Sequence, residues 1–387
     1  WLGIFIDQIV RYFDINNDTM KSIPINTANI HKKNLKLLSF YEDSEDRIWT
    51  SIVDYDSINF GLFYLEKDTN RFINYGRYID KKNYKEYADC YNSINSFTSD
   101  NDDNIWFSSL IGGVFKFKFG QTPIAYFVES PGLDSRINCI YCSTNNLIWI
   151  GTNGSGVEIS VSDKTNFHLL NYSSDNRFKI ESIRSLYEGK DYYWIGGYYG
   201  LAKISKDFKE IETVNGASVY SISSIDSYPN MILTGSEGGG LRPFNIKSGK
   251  FIKMDFNPND PNLPYLKYIF NIYPSSDTLL LLGTQNGLYG FNPYSKATYK
   301  FPFDFLISGK ISTGIAVRTI YTDPKGNILI GYVQGGVGKL DLTTKTVKKF
   351  TLLENLDDDD AIPNDGEVLW SAFNALAIAC GRDYSAY

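Results

Sequence analysis

Ile137-Asn-Cys-Ile-Tyr-Cys-Ser-Thr-Asn-Asn-Leu-Ile-Trp-Ile-Gly-Thr152 decides the fold. It opens as a short apolar strand, crosses a Ser/Thr/Asn turn and ends on Ile-Trp-Ile-Gly. That ending recurs as Ile48-Trp-Thr-Ser51, Ile105-Trp-Phe-Ser108, Tyr193-Trp-Ile-Gly196, Ile232-Leu-Thr-Gly235, Leu280-Leu-Leu-Gly283 and Ile328-Leu-Ile-Gly331, and Trp1-Leu-Gly3 opens the chain as one more copy. The anchor column is Trp1, Trp49, Trp106, Trp149, Trp194, Leu233, Leu281 and Leu329, at intervals of 48, 57, 43, 45, 39, 48 and 48. Five of the 6 Trp fall in this column, which makes it a repeat and not a coincidence of composition.

Further columns surround the anchor. An apolar strand precedes most copies: Ile94-Asn-Ser-Phe97, Ile137-Asn-Cys-Ile140, Ile183-Arg-Ser-Leu186, Val219-Tyr-Ser-Ile222, Ile269-Phe-Asn-Ile272, Val317-Arg-Thr-Ile320. A second Gly follows the motif, as at Gly156, Gly200, Gly240 and Gly287. Then come a strand, a polar hairpin and an outer strand, as in Asn245-Ile-Lys-Ser-Gly-Lys-Phe-Ile-Lys253. One unit is therefore four short strands, a to d, and no long stretch has helical periodicity. The pattern predicts an all-β chain, a β-propeller of four-stranded antiparallel blades. The Trp and Gly columns read as blade packing: a bulky plug, and a site of tight turning or close approach.

Seven complete units run over 37–350. Residues 1–36 read as a b-c-d remnant of a preceding or closing blade. Residues 351–387 read as a loop plus a partial terminal blade, with Leu369-Trp-Ser-Ala372 as a strand a and Leu376-Ala-Ile-Ala379 as a weak strand b. Seven blades closing among themselves is the expectation. Eight, by terminal closure of this strand a with the N-terminal remnant, is the alternative, since an open blade exposes a sheet edge.

Composition limits the chemistry. The 387 residues are 43% hydrophobic and 16% aromatic, enough for a large core. A net charge of −6 supplies no global basic field for nucleic acid or anionic lipid. Two His disfavour His-based acid–base or zinc chemistry. No apolar run approaches the ~18 residues of a spanning helix, and the chain opens on Trp1 without a leader pattern, which reads as a processed or truncated piece. Cys139 and Cys142 form a C-x-x-C in a strand-like segment, where i and i+3 face opposite ways. Asp14-x-Asn16-x-Asp18 lacks the Gly and bidentate Glu of a calcium loop. Asp100-x-Asp102-x-Asn104 reads as a hairpin turn, and Asp357–Asp360 as a solvated loop. No cofactor or metal site is expected.

These units resemble the two-component regulator propeller repeat, with Leu147-Ile-Trp-Ile-Gly-Thr152 and Val317–Val337 among the best copies. The resemblance implies the periplasmic sensor region of hybrid two-component systems of Bacteroidota. There, propellers precede a β-sandwich, a membrane helix, a histidine kinase and a response regulator, and oligosaccharides are the signal. It implies a non-catalytic chain, with any kinase activity in other domains. Its partners would be an oligosaccharide and a neighbouring propeller or protomer, with no nucleic acid and no membrane insertion.

In a propeller, the b–c and d–a connections share one face. Here the d–a connections are long and irregular (Gly76–Asn92, Asp255–Lys267, Phe303–Ala316, Leu352–Glu367), and one b–c connection, Asp54–Asn59, is expanded. Ligands are expected on that face. The b–c turns offer Asn153, Tyr198, Tyr199, Glu237, Gln285 and Gln334; the strand-a column offers Arg184, Tyr220, Arg318 and Trp370. Planar bidentate groups suit sugar hydroxyls, aromatic rings suit sugar C–H faces, and the two Arg suit an acidic or sulfated sugar. A glycoside hydrolase or lyase is the enzyme alternative, with Glu237, Asp54 or Asp56 as its acids. A protein-interaction propeller is the other, although the Gly-His and Trp-Asp signatures of WD repeats are absent.

Overall fold

A computed structural model of the chain describes residues 3–6, 9–14, 19–24, 35–45, 47–54, 61–66, 71–75, 94–109, 113–120, 125–127, 137–160, 167–171, 174–302, 304–307, 310–313, 316–322, 326–332 and 337–350. The first strands of the seven units are Leu35–Glu42, Ile94–Ser99, Ile137–Cys142, Ile183–Glu188, Val219–Ser223, Ile269–Ser276 and Val317–Thr322. Each opens a four-stranded sheet whose members pair in sequence order, all antiparallel. The fold is the all-β propeller with seven four-stranded blades, numbered here 1 to 7 along the chain.

A three-stranded sheet, Gly3–Ile6, Ile9–Asp14 and Thr19–Pro24, stands where the b-c-d remnant was expected. The terminal strands that would complete it, 369–372 and 376–379, lie outside the described residues. So do Trp1, Gly76–Asn92 and Leu352–Glu367. The connection Phe303–Ala316, expected to be irregular, instead carries a two-stranded hairpin, Asp304–Ile307 with Lys310–Thr313.

The chain forms two compact units. One holds the N-terminal sheet and blades 1–3. The other is Ser155–Val157 with Leu170–Thr351 and holds blades 4–7. Within each, strand a of one blade lies beside strand a of the next. A middle strand is thereby covered on both faces, so strand b reads as a continuous apolar run and not an alternating one. Ile105–Ser109, Ile148–Thr152 and Ile328–Tyr332 are buried at every residue.

The anchor column is that covered strand's plug. Trp49, Trp106, Trp149 and Trp194 are fully buried. Trp194 of blade 4 packs with Val219, Ile222, Ile232 and Phe244 of blade 5. Leu233 takes the same role in blade 5 against Ile269, Ile272 and Leu280 of blade 6. Burying a Trp also buries its N–H, which needs an acceptor. Trp49 Nε1 donates to Asp43 and Trp106 Nε1 to Asp100, each at 2.8 Å. Asp100 also accepts from the backbone of Asp102 and Asn104 and from the Asn104 amide, at 2.9–3.0 Å. The Asp100–Asn104 segment is thus a hairpin turn whose first residue locks the indole, as its reading against a calcium loop required.

The motif glycines explain how closely blades approach. A Cβ on Gly283 would stand 2.9 Å from both Val317 Cγ1 and the Val317 carbonyl oxygen of the next blade. A Cβ on Gly235 would meet Ile269 at 2.8–2.9 Å. The first apolar residue of each following strand a occupies the space a side chain would need.

Candidate functional site

Strand a carries the same irregularity in every blade. In blade 4, Ile183 pairs with Gly197 and Ser185 with Gly196, so Arg184 is the extra residue of a β-bulge. The register shifts at the same place between Val219 and Ser221, Ile269 and Asn271, and Val317 and Thr319. Blades 1 to 3 repeat it at Leu37/Ser39, Ile94/Ser96 and Ile137/Cys139. A bulge re-aims the inserted side chain away from the regular alternation. The residue before it is buried in every described case, whereas the inserted residue is half-buried in blades 3 to 7.

The b–c turn arrives at the same end of the sheet. The backbone N–H of Tyr198 donates to Ser182 O at 3.0 Å, Glu237 to Ser218 O at 3.1 Å, and Gln285 to Tyr268 O at 3.2 Å. The fourth residue after each anchor is thus tied to the residue just before strand a. In blade 5 the d–a connection joins them: Glu237 bridges Tyr268, and Gly240 N, with its backbone at φ +66, donates to Lys267 O at 3.0 Å. A Cβ on Gly240 would collide with Leu266 O, so the turn admits only Gly.

In the unit of blades 4–7 these two positions form one cluster. Arg184 Nη2 donates to Tyr198 Oη at 2.7 Å, and its guanidinium lies 4.6 Å from that ring's centroid. Tyr220 Oη donates to Glu237 Oε2 at 2.9 Å. Tyr220 meets Phe270 edge-on at 5.6 Å, and the Arg318 guanidinium lies 3.7 Å from the Phe270 centroid. The residues are electrostatically linked. Burial, then the Glu237 carboxylate, pushes the Tyr220 phenol up to about 12. Burial lowers the Arg318 guanidinium from its usual value; Tyr220 and Glu237 oppose that shift and Arg184 adds to it.

Five of the ten sequence-predicted residues therefore come together: Arg184, Tyr198, Tyr220, Glu237 and Arg318. Tyr199 follows directly. It is 74% exposed, its ring 6.3 Å from that of Tyr198, and it sits at φ 71. Left-handed backbone is unusual for a bulky aromatic and is held here by the two-residue turn between Gly197 and Gly200. Gln285 occupies the equivalent turn of blade 6 and is exposed. Asn153 belongs to the other unit, where its Oδ1 accepts from Asn138, the inserted residue of blade 3, at 3.4 Å. Gln334 and Trp370 lie outside the described residues. Phe270 was missed. It stands in the same column as Arg184, Tyr220 and Arg318, but a search for polar sugar ligands passes over a Phe.

Among known proteins, residues 131–154 match the sequence model described as "Two component regulator propeller". The chain carries the repeat of the two component regulator propeller family. The matched copy holds the first strand and Ile-Trp-Ile-Gly motif of blade 3. No curated protein sequence matches the chain. Among solved structures, the extracellular domain described as that of the hybrid two component system BT3049 from B. thetaiotaomicron superposes with a TM-score of 0.51 at 15% identity, over 74% of this chain and 36% of that one. The chain thus spans little more than a third of that relative. The computationally designed Ika8 protein superposes with a TM-score of 0.52 at 10% identity, over 81% of this chain and 86% of that one. Both likenesses are of fold.

Proposed function

We propose that this chain is a ligand-sensing propeller of an extracytoplasmic, periplasmic signalling protein of the hybrid two-component kind, and that it binds an oligosaccharide. The observation that carries this reading is the repeated bulge. It leaves one half-buried residue per blade in blades 3 to 7 outside the regular ladder and, in blades 4–7, gathers Arg184, Tyr220, Phe270 and Arg318 with Tyr198 and Glu237 from the turns. Planar donors and acceptors beside aromatic rings are what a polyhydroxylated ring with apolar C–H faces requires. The regulator propeller repeat supports the signalling context. No helix among the described residues is long and apolar enough to cross a membrane, so in this reading anchoring and kinase chemistry belong to other domains.

Binding transmits a signal only if the ligand prefers one arrangement of this propeller and its neighbours, whether a second propeller or a second protomer. Calorimetry against a panel of glycan fragments tests the reading: saturable heat without turnover is expected, and a folded sample silent toward every fragment refutes it. The enzyme alternative is disfavoured by the cluster's makeup. Glycoside hydrolysis ordinarily needs two carboxyl groups across the scissile bond, and among the described residues Glu237 is the single acid of this cluster, already hydrogen-bonded by Tyr220.

A further inference from the structure

Tyr199 is held where a tyrosine is unfavourable and contributes nothing to the core. Its backbone is left-handed, at φ 71, and the residue is 74% exposed. The turn has no room to relax. A Cβ on Gly197 would collide with Ser182 O and one on Gly200 with Val214 O, so both flanks press on neighbouring backbone. Tyr199 O accepts from Gly216 N at 2.8 Å, which ties the turn to the connection leading into blade 5. Two residues on, Ser218 O accepts from Glu237 N at 3.1 Å. The Tyr199 and Glu237 turns are therefore pinned to one short segment, Gly216 to Ser218, whose ends lie at most about 7 Å apart.

A cation stands against the same segment. Arg242 belongs to the third strand of blade 5, Gly240–Asn245. Its guanidinium lies 4.4 Å from the Phe251 ring centroid, and a Cβ on Gly216 would stand 3.3 Å from its Nη1. Its stem runs beneath the Glu237 turn, where a Cβ on Gly239 would meet Cδ at 2.8 Å. Among the described residues Arg242 forms no ion pair and donates no side-chain hydrogen bond, although Glu237 sits on the turn above its stem. Glu237 is exposed and accepts from Tyr220 on Oε2 at 2.9 Å, which leaves Oε1 to a further donor. One aromatic face, one fork of donors and one carboxylate thus meet at the junction of blades 4 and 5, fixed by backbone hydrogen bonds.

We infer that the Tyr199–Glu237–Arg242 junction is a subsite for one neutral sugar unit: the Tyr199 ring takes its C–H face, Arg242 donates to one hydroxyl and Glu237 accepts from another. The charges at the junction balance, one guanidinium against one carboxylate. A hydroxyl both accepts and donates, so a diol satisfies the two groups together, whereas a uronate or sulfate would be repelled by Glu237. This rests on the oligosaccharide reading above and deepens it, by naming the subsite and the kind of sugar it selects.

The experiment is titration calorimetry of this chain with cello-, manno-, galacto- and xylo-oligosaccharides, and with uronate oligosaccharides as the charged arm. At least one neutral series is expected to bind, and more tightly than the uronates. Tyr199→Gly removes the ring and the left-handed strain together. The neutral series that binds should then weaken about tenfold, while the melting temperature stays at or above the parent's. Tyr199→Phe should restore most of that affinity, because the ring and not the hydroxyl makes the contact. Arg242→Gln and Glu237→Gln should each weaken the same series about tenfold, since each removes a charged hydrogen-bond partner. If Arg242→Gln melts well below the parent, Arg242→Lys replaces it: it keeps a charge but not the planar fork, and should still lose about threefold. Binding that survives Tyr199→Gly or the Arg242 variant unchanged overturns the subsite and leaves the sensor reading standing, as does binding confined to the uronates. Silence toward every oligosaccharide, on a folded sample, removes both.

Discussion

Adding one methyl group at Gly283 tests the blade packing directly. In Gly283→Ala the new Cβ would stand 2.9 Å from Val317 Cγ1 and 2.9 Å from Val317 O, with Asn271 Cβ at 3.4 Å. The Val317 methyl can shift, but the carbonyl belongs to strand a of blade 7 and cannot swing aside. Overpacking of this kind costs about 1–3 kcal/mol. Reduced freedom of the unfolded chain returns about 0.4–1 kcal/mol. The net is a destabilisation of about 1–2 kcal/mol, or a fall in melting temperature of roughly 2–8 °C for a unit of this size. Thermal unfolding followed by circular dichroism measures it, with Lys253→Ala on the exposed surface as a reference expected to stay within about 0.5 kcal/mol. Combining Gly283→Ala with Val317→Ala should recover part of the loss, a coupling of about 0.5–1 kcal/mol, because only one of the two close contacts is a side chain. A Gly283→Ala protein that melts at or above the parental temperature would refute the claim that the next blade's first strand rests on the motif glycine.

Asp100→Ala should destabilise by about 1–3 kcal/mol, since it strands the buried Trp106 N–H and the turn donors of Asp102 and Asn104; urea unfolding followed by tryptophan fluorescence measures the midpoint. Raising the pH should weaken the fold through Tyr220. Its phenol is pushed up to about 12 from 10.0, so above the ordinary value the unfolded state loses a proton that the folded state keeps. That contribution is complete below pH 10 and is lost toward 12. Phenolate absorbance on titration should show one fewer late-ionising tyrosine in Tyr220→Phe. Phe270→Leu should weaken oligosaccharide binding by about two- to tenfold through loss of the ring under Arg318 and beside Tyr220, with the melting temperature nearly unchanged, since Phe270 is half-buried. Calorimetry of that variant separates the two effects.

Much of this was legible in the sequence because the repeat is enforced by covered strands. A Trp or Leu buried between blades cannot drift far in type, nor can the Gly on which Val317 or Ile269 sits, and so the columns survive to be read. The bulge was not legible. Its inserted residue looks like any second residue of a strand until the pairing register is known, and register depends on the partner strand. The strand-a column was nonetheless searched for sugar ligands, which found Arg184, Tyr220 and Arg318. Phe270 escaped because its role is to seat an arginine, not to bond a hydroxyl. Asp100 was read as part of a hairpin turn, which it is; that its carboxylate, and Asp43 in blade 1, each cap an indole six residues on appears only once the hairpin is folded. The hairpin at Asp304–Ile307 and Lys310–Thr313 had no repeat column to announce it.

The inserted residue of strand a also explains why such a scaffold can change what it recognises without rebuilding itself. From blade 1 to blade 7 that position holds Leu38, Asn95, Asn138, Arg184, Tyr220, Phe270 and Arg318, while the residue before it stays Leu, Ile or Val. One carries the mortar and the next is a tumbler in a lock: the bulge excuses it from the ladder, and in blades 3 to 7, where it is half-buried, Asn, Arg, Tyr and Phe all fill the place without altering the strands on either side.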